Sequence, residues 1–258
     1  MVTESKLLTA TVAPLVHEES GELSLHFSFP TIQSRMLKAD PDRLILDYTR
    51  TMMGFLLLQP KPERIAMIGL GGGSLAKYCF RRLPAADFTA VELLPEVIAL
   101  RQAFGIPGDD ARFRIICADG ADFIRSESAA FDVLLVDGFD RGGQPGQLCS
   151  AAFYDDCHAA LRPNGVLVVN LCADDSACGL YIGRIGDSFD RKTIVVAADE
   201  GENTIVFACK GGGFPPTFSE LSGRLRALEL LHPVDLDKTA QKILRPEQGQ
   251  DRRRNRRR

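Results

Sequence analysis

No apolar run in this 258-residue chain reaches the ~20 residues that a membrane-spanning helix needs. The opening stretch MVTESKLLTATVAP is too polar for a secretory leader, so a cytoplasmic location and no membrane partner are expected. Charge of one sign is lacking as well. Lys and Arg number 31 against 34 Asp and Glu, a formal net charge of −3, which leaves no general field to draw nucleic acid. Histidines number only four, and the seven cysteines (Cys79, Cys117, Cys149, Cys157, Cys172, Cys178 and Cys209) include no Cys-x-x-Cys pair. Scattered through predicted strands and helices, they read as reduced small hydrophobes rather than as disulfides or zinc ligands, and no metal is expected. What remains, 45% hydrophobic and 25% charged, suffices for one large core, or one core with a small appendage.

The chain divides into three stretches. Residues 1–40 form a small N-terminal β-rich segment, where SGELSLHFSF alternates Leu23, Leu25, Phe27 and Phe29 with polar residues between Gly21 and Pro30 and predicts a hairpin appendage. From Pro41 to Leu58 the apolar spacing of Leu44, Tyr48, Met52 and Phe55 is helical, and QPKP closes the segment. Strands are then predicted at 64–68, 88–92, 113–117, 132–136, 165–171, 193–198 and 204–209. Helices are predicted at 74–82, 95–103, 119–126, 150–161, 178–189 and 216–230. This alternation predicts an α/β fold, a mostly parallel seven-stranded sheet covered on both faces, with residues 41–235 as one Rossmann-like domain. The last two strands, joined by a short polar connection, predict an antiparallel hairpin at one edge. Residues 236–258 read as a polar basic tail, disordered in isolation, whose DRRRNRRR end is the one feature suited to nucleic acid or an acidic partner.

The most informative stretch is RIAMIGLGGGSLAKYCFRRLPAADFTAVE, from Arg64 to Glu92. A short apolar strand runs into Gly69, Gly71 and Gly73, Ser74 opens a helix, and the following strand ends in an acid. Glycines let a ligand approach bare backbone, and an acid about 20 residues further on is placed to accept hydrogen bonds from a ribose. The pattern suits a nucleoside or a dinucleotide. NAD is the weaker fit, because the position three after Gly71 is Ser74 and G-x-G-x-x-G is not completed. Asp119-Gly120 follows the apolar FRIIC, where an acid can accept an adenine amino proton. Asp137 ends the apolar VLLV strand, at the carboxyl edge where ligands bind in open α/β sheets. Together with the edge hairpin, this order of motifs is that expected of a class I S-adenosylmethionine-dependent transferase.

On GLGGGS (69–74), VELL (91–94), ADG (118–120), VDGFD (136–140), QLCSAAFY (147–154) and LRPNG (161–165), the chain resembles the spermidine synthase family, the polyamine aminopropyltransferases, in a divergent branch of the class I methyltransferase superfamily. Family members carry GGGDGG, VEID, D-G/A, VD-x-x-DP, a gate loop ending S-L-F-x-x-x-FY, and L-x-P-x-G at the matching places. The resemblance implies a homodimer that binds S-adenosylmethionine or its decarboxylated form as co-substrate and alkylates a small-molecule amine. It places Gly69, Gly71, Gly73, Glu92, Asp119, Gly120 and Asp137 around the donor, Glu92 on the ribose, and Asp119 and Gly120 on the adenine. Asp137 becomes the general base, and Asp140, separated from it by two residues, a holder of the acceptor amine. Tyr48 and Gln33 fall where the family's acceptor-site segments lie. The Gly-rich gate loop, 138–149, is expected to close over the ligand.

The departures are as specific as the matches. The family's acid inside the glycine motif, which holds the donor's amino group, corresponds to Gly72. Its proline after the second acid corresponds to Arg141, a cation where a polyamine should be admitted. A methyltransferase using intact S-adenosylmethionine, or a non-catalytic ligand-binding protein of the same fold, are the alternatives these departures leave open.

Overall fold

The computed structural model describes residues 14–28, 31–140 and 142–245. Its strands are β1 (Leu15–Glu19), β2 (Glu22–His26), β3 (Ser34–Leu37), β4 (Arg64–Ile68), β5 (Asp87–Glu92), β6 (Phe113–Cys117), β7 (Phe131–Val136), β8 (Leu161–Cys172), β9 (Thr193–Ala197) and β10 (Asn203–Lys210). The helices are α1 (Asp47–Met52), α2 (Phe55–Leu58), α3 (Ser74–Arg82), α4 (Pro95–Ala99), α5 (Gly120–Arg125), α6 (Ala151–Ala160), α7 (Cys178–Ser188), α8 (Phe218–Glu229) and α9 (Asp237–Leu244), and a 3₁₀ turn spans Gly146–Cys149. The large sheet has seven strands in the order β6-β5-β4-β7-β8-β10-β9. The pairs from β6 to β8 are parallel; β10 runs against both β8 and β9, which is the expected edge hairpin.

Strand alternation divides the core between two layers. Ile65 and Met67 of β4 face α3, α8 and α9, whereas Ala66 and Ile68 face α5, α6 and α7. Burial of both faces explains why these strands are continuous apolar runs. It also raises the thiols of Cys79 and Cys157 well above their ordinary range, in keeping with their reading as small hydrophobes.

Four expectations change. The N-terminal appendage is a three-stranded antiparallel sheet, because Ser34–Leu37 adds β3 to β2. Phe29 and Pro30 of the expected hairpin lie outside the described residues. The helix expected over 41–58 is two short ones, α1 and α2, meeting at Gly54, where a Cβ would stand 2.6 Å from Thr239 and 2.8 Å from the Thr51 carbonyl. The helix expected over 95–103 stops at Ala99. Finally, the stretch from 236 is not all tail, since α9 buries Thr239, Ala240 and Ile243; the Arg-rich end beyond 245 lies outside the described residues. Among the described residues no helix is long and apolar enough to cross a membrane, and no cluster of His, Cys, Asp or Glu could hold a metal.

The small sheet is seated on the large one by α3. Lys77, fully buried, donates from Nζ to the Phe104 carbonyl at 2.7 Å and touches Met36 Sδ of β3 at 3.1 Å. Burial lowers this amine to about 8.

The closest backbone approach lies at the carboxyl end of β4. Gly69 has φ +89°, and a Cβ there would fall 2.3 Å from the Asp137 carbonyl oxygen. Gly21, in the β1–β2 turn, has φ +81° with nothing within 4 Å of a Cβ. Gly21→Ala is therefore expected to cost only the left-handed strain, about 1–2 kcal/mol, and Gly69→Ala at least ~2 kcal/mol more through overpacking. Urea unfolding checks this, and equal losses at the two positions would refute the close approach.

Candidate active site

The carboxyl ends of β4, β5 and β7 open onto a cavity of about 550 Å³, roofed by the small sheet and by the 138–149 loop. Gly69, Gly71, Glu92, Asp119, Gly120, Asp137, Asp140, Tyr48 and Gln33 all line it, so the residues singled out from sequence converge. Gly73 differs. It is the left-handed N-cap of α3, φ +69°, and a Cβ there would lie 2.5 Å from Ile106, so its freedom serves loop packing.

Glu92 ends β5 with each carboxylate oxygen already holding a backbone N–H: Leu70 donates to Oε2 at 2.9 Å and Leu94 to Oε1 at 3.0 Å. The glycine loop is thereby tied to the acid, whose remaining lone pairs serve the cavity. Asp119 caps α5, accepting from Ala121 N–H at 2.8 Å, while Gln147 donates to its other oxygen at 2.7 Å. That second contact links Gln147 of the loop to Asp119. Asp140 is engaged locally: Gly142 N–H donates to its Oδ1 at 2.6 Å and its backbone pairs with Gly143 in a tight turn. Arg141 lies outside the described residues.

Asp137 carries the most perturbed carboxyl in the cavity. Asn170 donates from Nδ2 to its Oδ1 at 2.8 Å, and the Tyr48 hydroxyl approaches Oδ2 at 3.4 Å. Burial pushes Asp137 up to about 6, against the lowering effect of these two donors. Burial, then the charge of Asp137, raises the Tyr48 phenol well above its usual range, so it remains a donor. Asp47, beside Tyr48, turns away to accept the Glu200 N–H at 2.7 Å and is structural.

Position 72 is closed. A Cβ on Gly72 would meet Ser34 Oγ at 2.6 Å and Phe104 at 2.8 Å, so β3 occupies the space an acidic side chain would need. In its place stand two hydroxyls, Ser34 and Ser74, 3.5 Å apart at the cavity wall.

Sequence reading missed Asn170, Asn203, Gln147 and Ser34. Asn170 carried a signal, a polar residue near the end of the apolar VLVVNL strand; the other three are brought in by long-range packing.

The family model for the spermine/spermidine synthase domain matches residues 45–172. A polyamine aminopropyltransferase of Chromobacterium violaceum is 40% identical over 194 residues, covering 75% of this chain and 74% of that one. The chain belongs to the polyamine aminopropyltransferase family. A second polyamine aminopropyltransferase, of Neisseria meningitidis, is 35% identical over 222 residues, covering 85% of this chain and 84% of its own. Among solved structures, that of a probable spermidine synthase from Corynebacterium glutamicum superposes with a TM-score of 0.71 at 21% identity, over 83% of each chain, and shares the fold. As a polyamine aminopropyltransferase family member, the protein is a transferase.

A nucleoside held by Glu92 should depend on its charge. Glu92→Ala is expected to weaken methylthioadenosine binding by about 2 kcal/mol, the scale of a hydrogen bond to a charged group. Calorimetry on protein shown to be folded tests this, and parental affinity in the variant would remove Glu92 from the ribose.

Proposed function

We propose that this protein transfers the aminopropyl group of decarboxylated S-adenosylmethionine to a primary amine of a polyamine acceptor. One observation carries the reading. The cavity is lined by five carboxylates, Glu92, Asp119, Asp137, Asp140 and Glu202, and by no Lys, Arg or His among the described residues. Such a site favours cations, and both reactants are cationic: a sulfonium donor and an ammonium acceptor.

The chemistry follows from Asp137. An alkylammonium cannot attack carbon until it loses a proton. Asp137, ionised above about pH 6 and poised by burial, attracts the cation and takes that proton. The freed nitrogen lone pair then attacks the carbon bonded to sulfur. The new N–C bond forms as the C–S bond breaks, and the electron pair returns to sulfur, which leaves as neutral methylthioadenosine. Tyr48 and Asn170 hold the carboxylate in place, and alignment of the two reactants supplies further acceleration. The closed position 72 leaves the donor's amino group without an acid at that point of the loop, and the Ser34 and Ser74 hydroxyls are the polar groups nearest it.

Asp137→Asn keeps the shape and removes the base. Turnover with a diamine acceptor is expected to fall by ~10²–10⁴ with methylthioadenosine affinity little changed. In the parent, kcat/KM should rise with pH through a midpoint near 6, since the protonated acid present below it cannot accept a proton. Near-parental turnover in the variant would demote Asp137 to a structural cap.

Donor selectivity gives an independent check. With position 72 closed, the preference for decarboxylated over intact S-adenosylmethionine is expected to stay under a hundredfold, or ~2.7 kcal/mol. A larger ratio in parallel titrations would mean that another cavity acid has taken over the amine.

A further inference from the structure

Asn170 has both ends of its side chain assigned. Nδ2 donates to Asp137 Oδ1 at 2.8 Å, and Oδ1 accepts from Asn203 Nδ2 at 2.9 Å. The backbone around Asn203 is held on both sides. It opens β10 opposite Cys172, its carbonyl accepts the Ala198 N–H at 2.9 Å, and the neighbouring Glu202 carbonyl accepts the Ala173 N–H at 2.9 Å.

A primary amide is nearly symmetric in shape but not in chemistry, so its orientation must be set by its partners. The ionised Asp137 selects the donor end of Asn170 unaided. Once Asp137 has taken a proton this selection vanishes, because a carboxylic acid can donate, and an amide turned end for end would accept that proton's hydrogen bond and hold it in place. A second donor on the far side of the amide opposes the turn. We propose that Asn203 is a positioning residue: it pins the Asn170 amide with its donor end on Asp137 in both protonation states, so that the base releases its proton after each transfer. This rests on the reading of Asp137 as the base.

Other groups face Asp137 and set the baseline for any test. The Tyr48 hydroxyl comes from α1, with Asp47 behind it; Asp140 comes from the gate loop, and Glu92, Asp119 and Glu202 share the cavity wall.

The test is a direct titration of Asp137 in the full-length protein carrying ¹³C-carboxyl aspartate, with the resonance assigned by its loss in Asp137→Asn. Asn203→Leu, close in shape and without a donor, is expected to raise the Asp137 midpoint by about half a unit or more, and Asn170→Leu by about one unit, the scale of a hydrogen bond to a charged group. Asn203→Ala serves where Asn203→Leu does not fold. The rising limb of kcat/KM should move by the same amount. An Asp137 midpoint unmoved in the Asn203 variants while Asn170→Leu raises it would overturn the proposal, and so would an unmoved midpoint in Asn170→Leu. Because the titration needs no substrate, it stands apart from the aminopropyl reading. A parent that titrates as expected but turns over no amine would sink that reading while leaving the pinning of the Asn170 amide by Asn203 in place.

Discussion

Two backbone hydrogen bonds at the rim of the sheet hold the site together. The Asp137 N–H donates to the Ile68 carbonyl at 2.9 Å, and the Gly69 N–H donates to the Val91 carbonyl at 2.8 Å. They join the ends of β7, β4 and β5 into one edge, so that the acid closing β5 and the acid just after β7 open onto the same space. The approach is possible only because Gly69 carries no side chain against the Asp137 carbonyl. Glu92 then extends the tie by accepting the Leu70 N–H of the same loop. The glycine loop, Glu92 and the candidate base Asp137 are thus positioned by main chain, the least adjustable part of the molecule.

On that rim the electrostatics are one-sided. Five carboxylates without a basic side chain among the described lining residues would repel one another and any anion. The cost is moderated locally by neutral donors: Leu70, Leu94 and Ala121 through backbone N–H, and Gln147, Asn170 and Tyr48 through side chains. At Asp137 burial outweighs its two donors, Asn170 and Tyr48, and its proton affinity rises. A cationic ligand, as proposed above, would offset this repulsion.

Much of this was legible before the fold was known. Glu92, Asp119 and Asp137 each close an apolar run or follow one directly, and runs of that kind become buried parallel strands whose ends form the ligand edge. The central strands and α3, α5, α6, α7 and α8 lie within a few residues of where the sequence pattern places them, and the structure adds Asp119, Ser150 and Thr217 as N-caps of α5, α6 and α8. The misses share a cause. β3 is four residues, SRML, with no strand signal of its own, and exists because β2 offers it a ladder. The helix over 41–58 is divided at Gly54, where Thr239 and Phe207 leave no room for a side chain, and α9 orders within a polar stretch because Ala240 and Ile243 find the core.

The sequence by itself determined the strand–loop–helix units, the acids at their ends and the resemblance to a family, because these depend on neighbours a few residues apart. Tertiary structure alone decided how the acids are held. Asn203 reaches Asn170 across 33 residues of chain through the register of β10 on β8, and Tyr48 reaches Asp137 across 89. It also decided that position 72 is closed, since the residue filling it is Ser34, from a strand in a different sheet. Contacts of this kind arise from packing between distant segments, and no local periodicity encodes them.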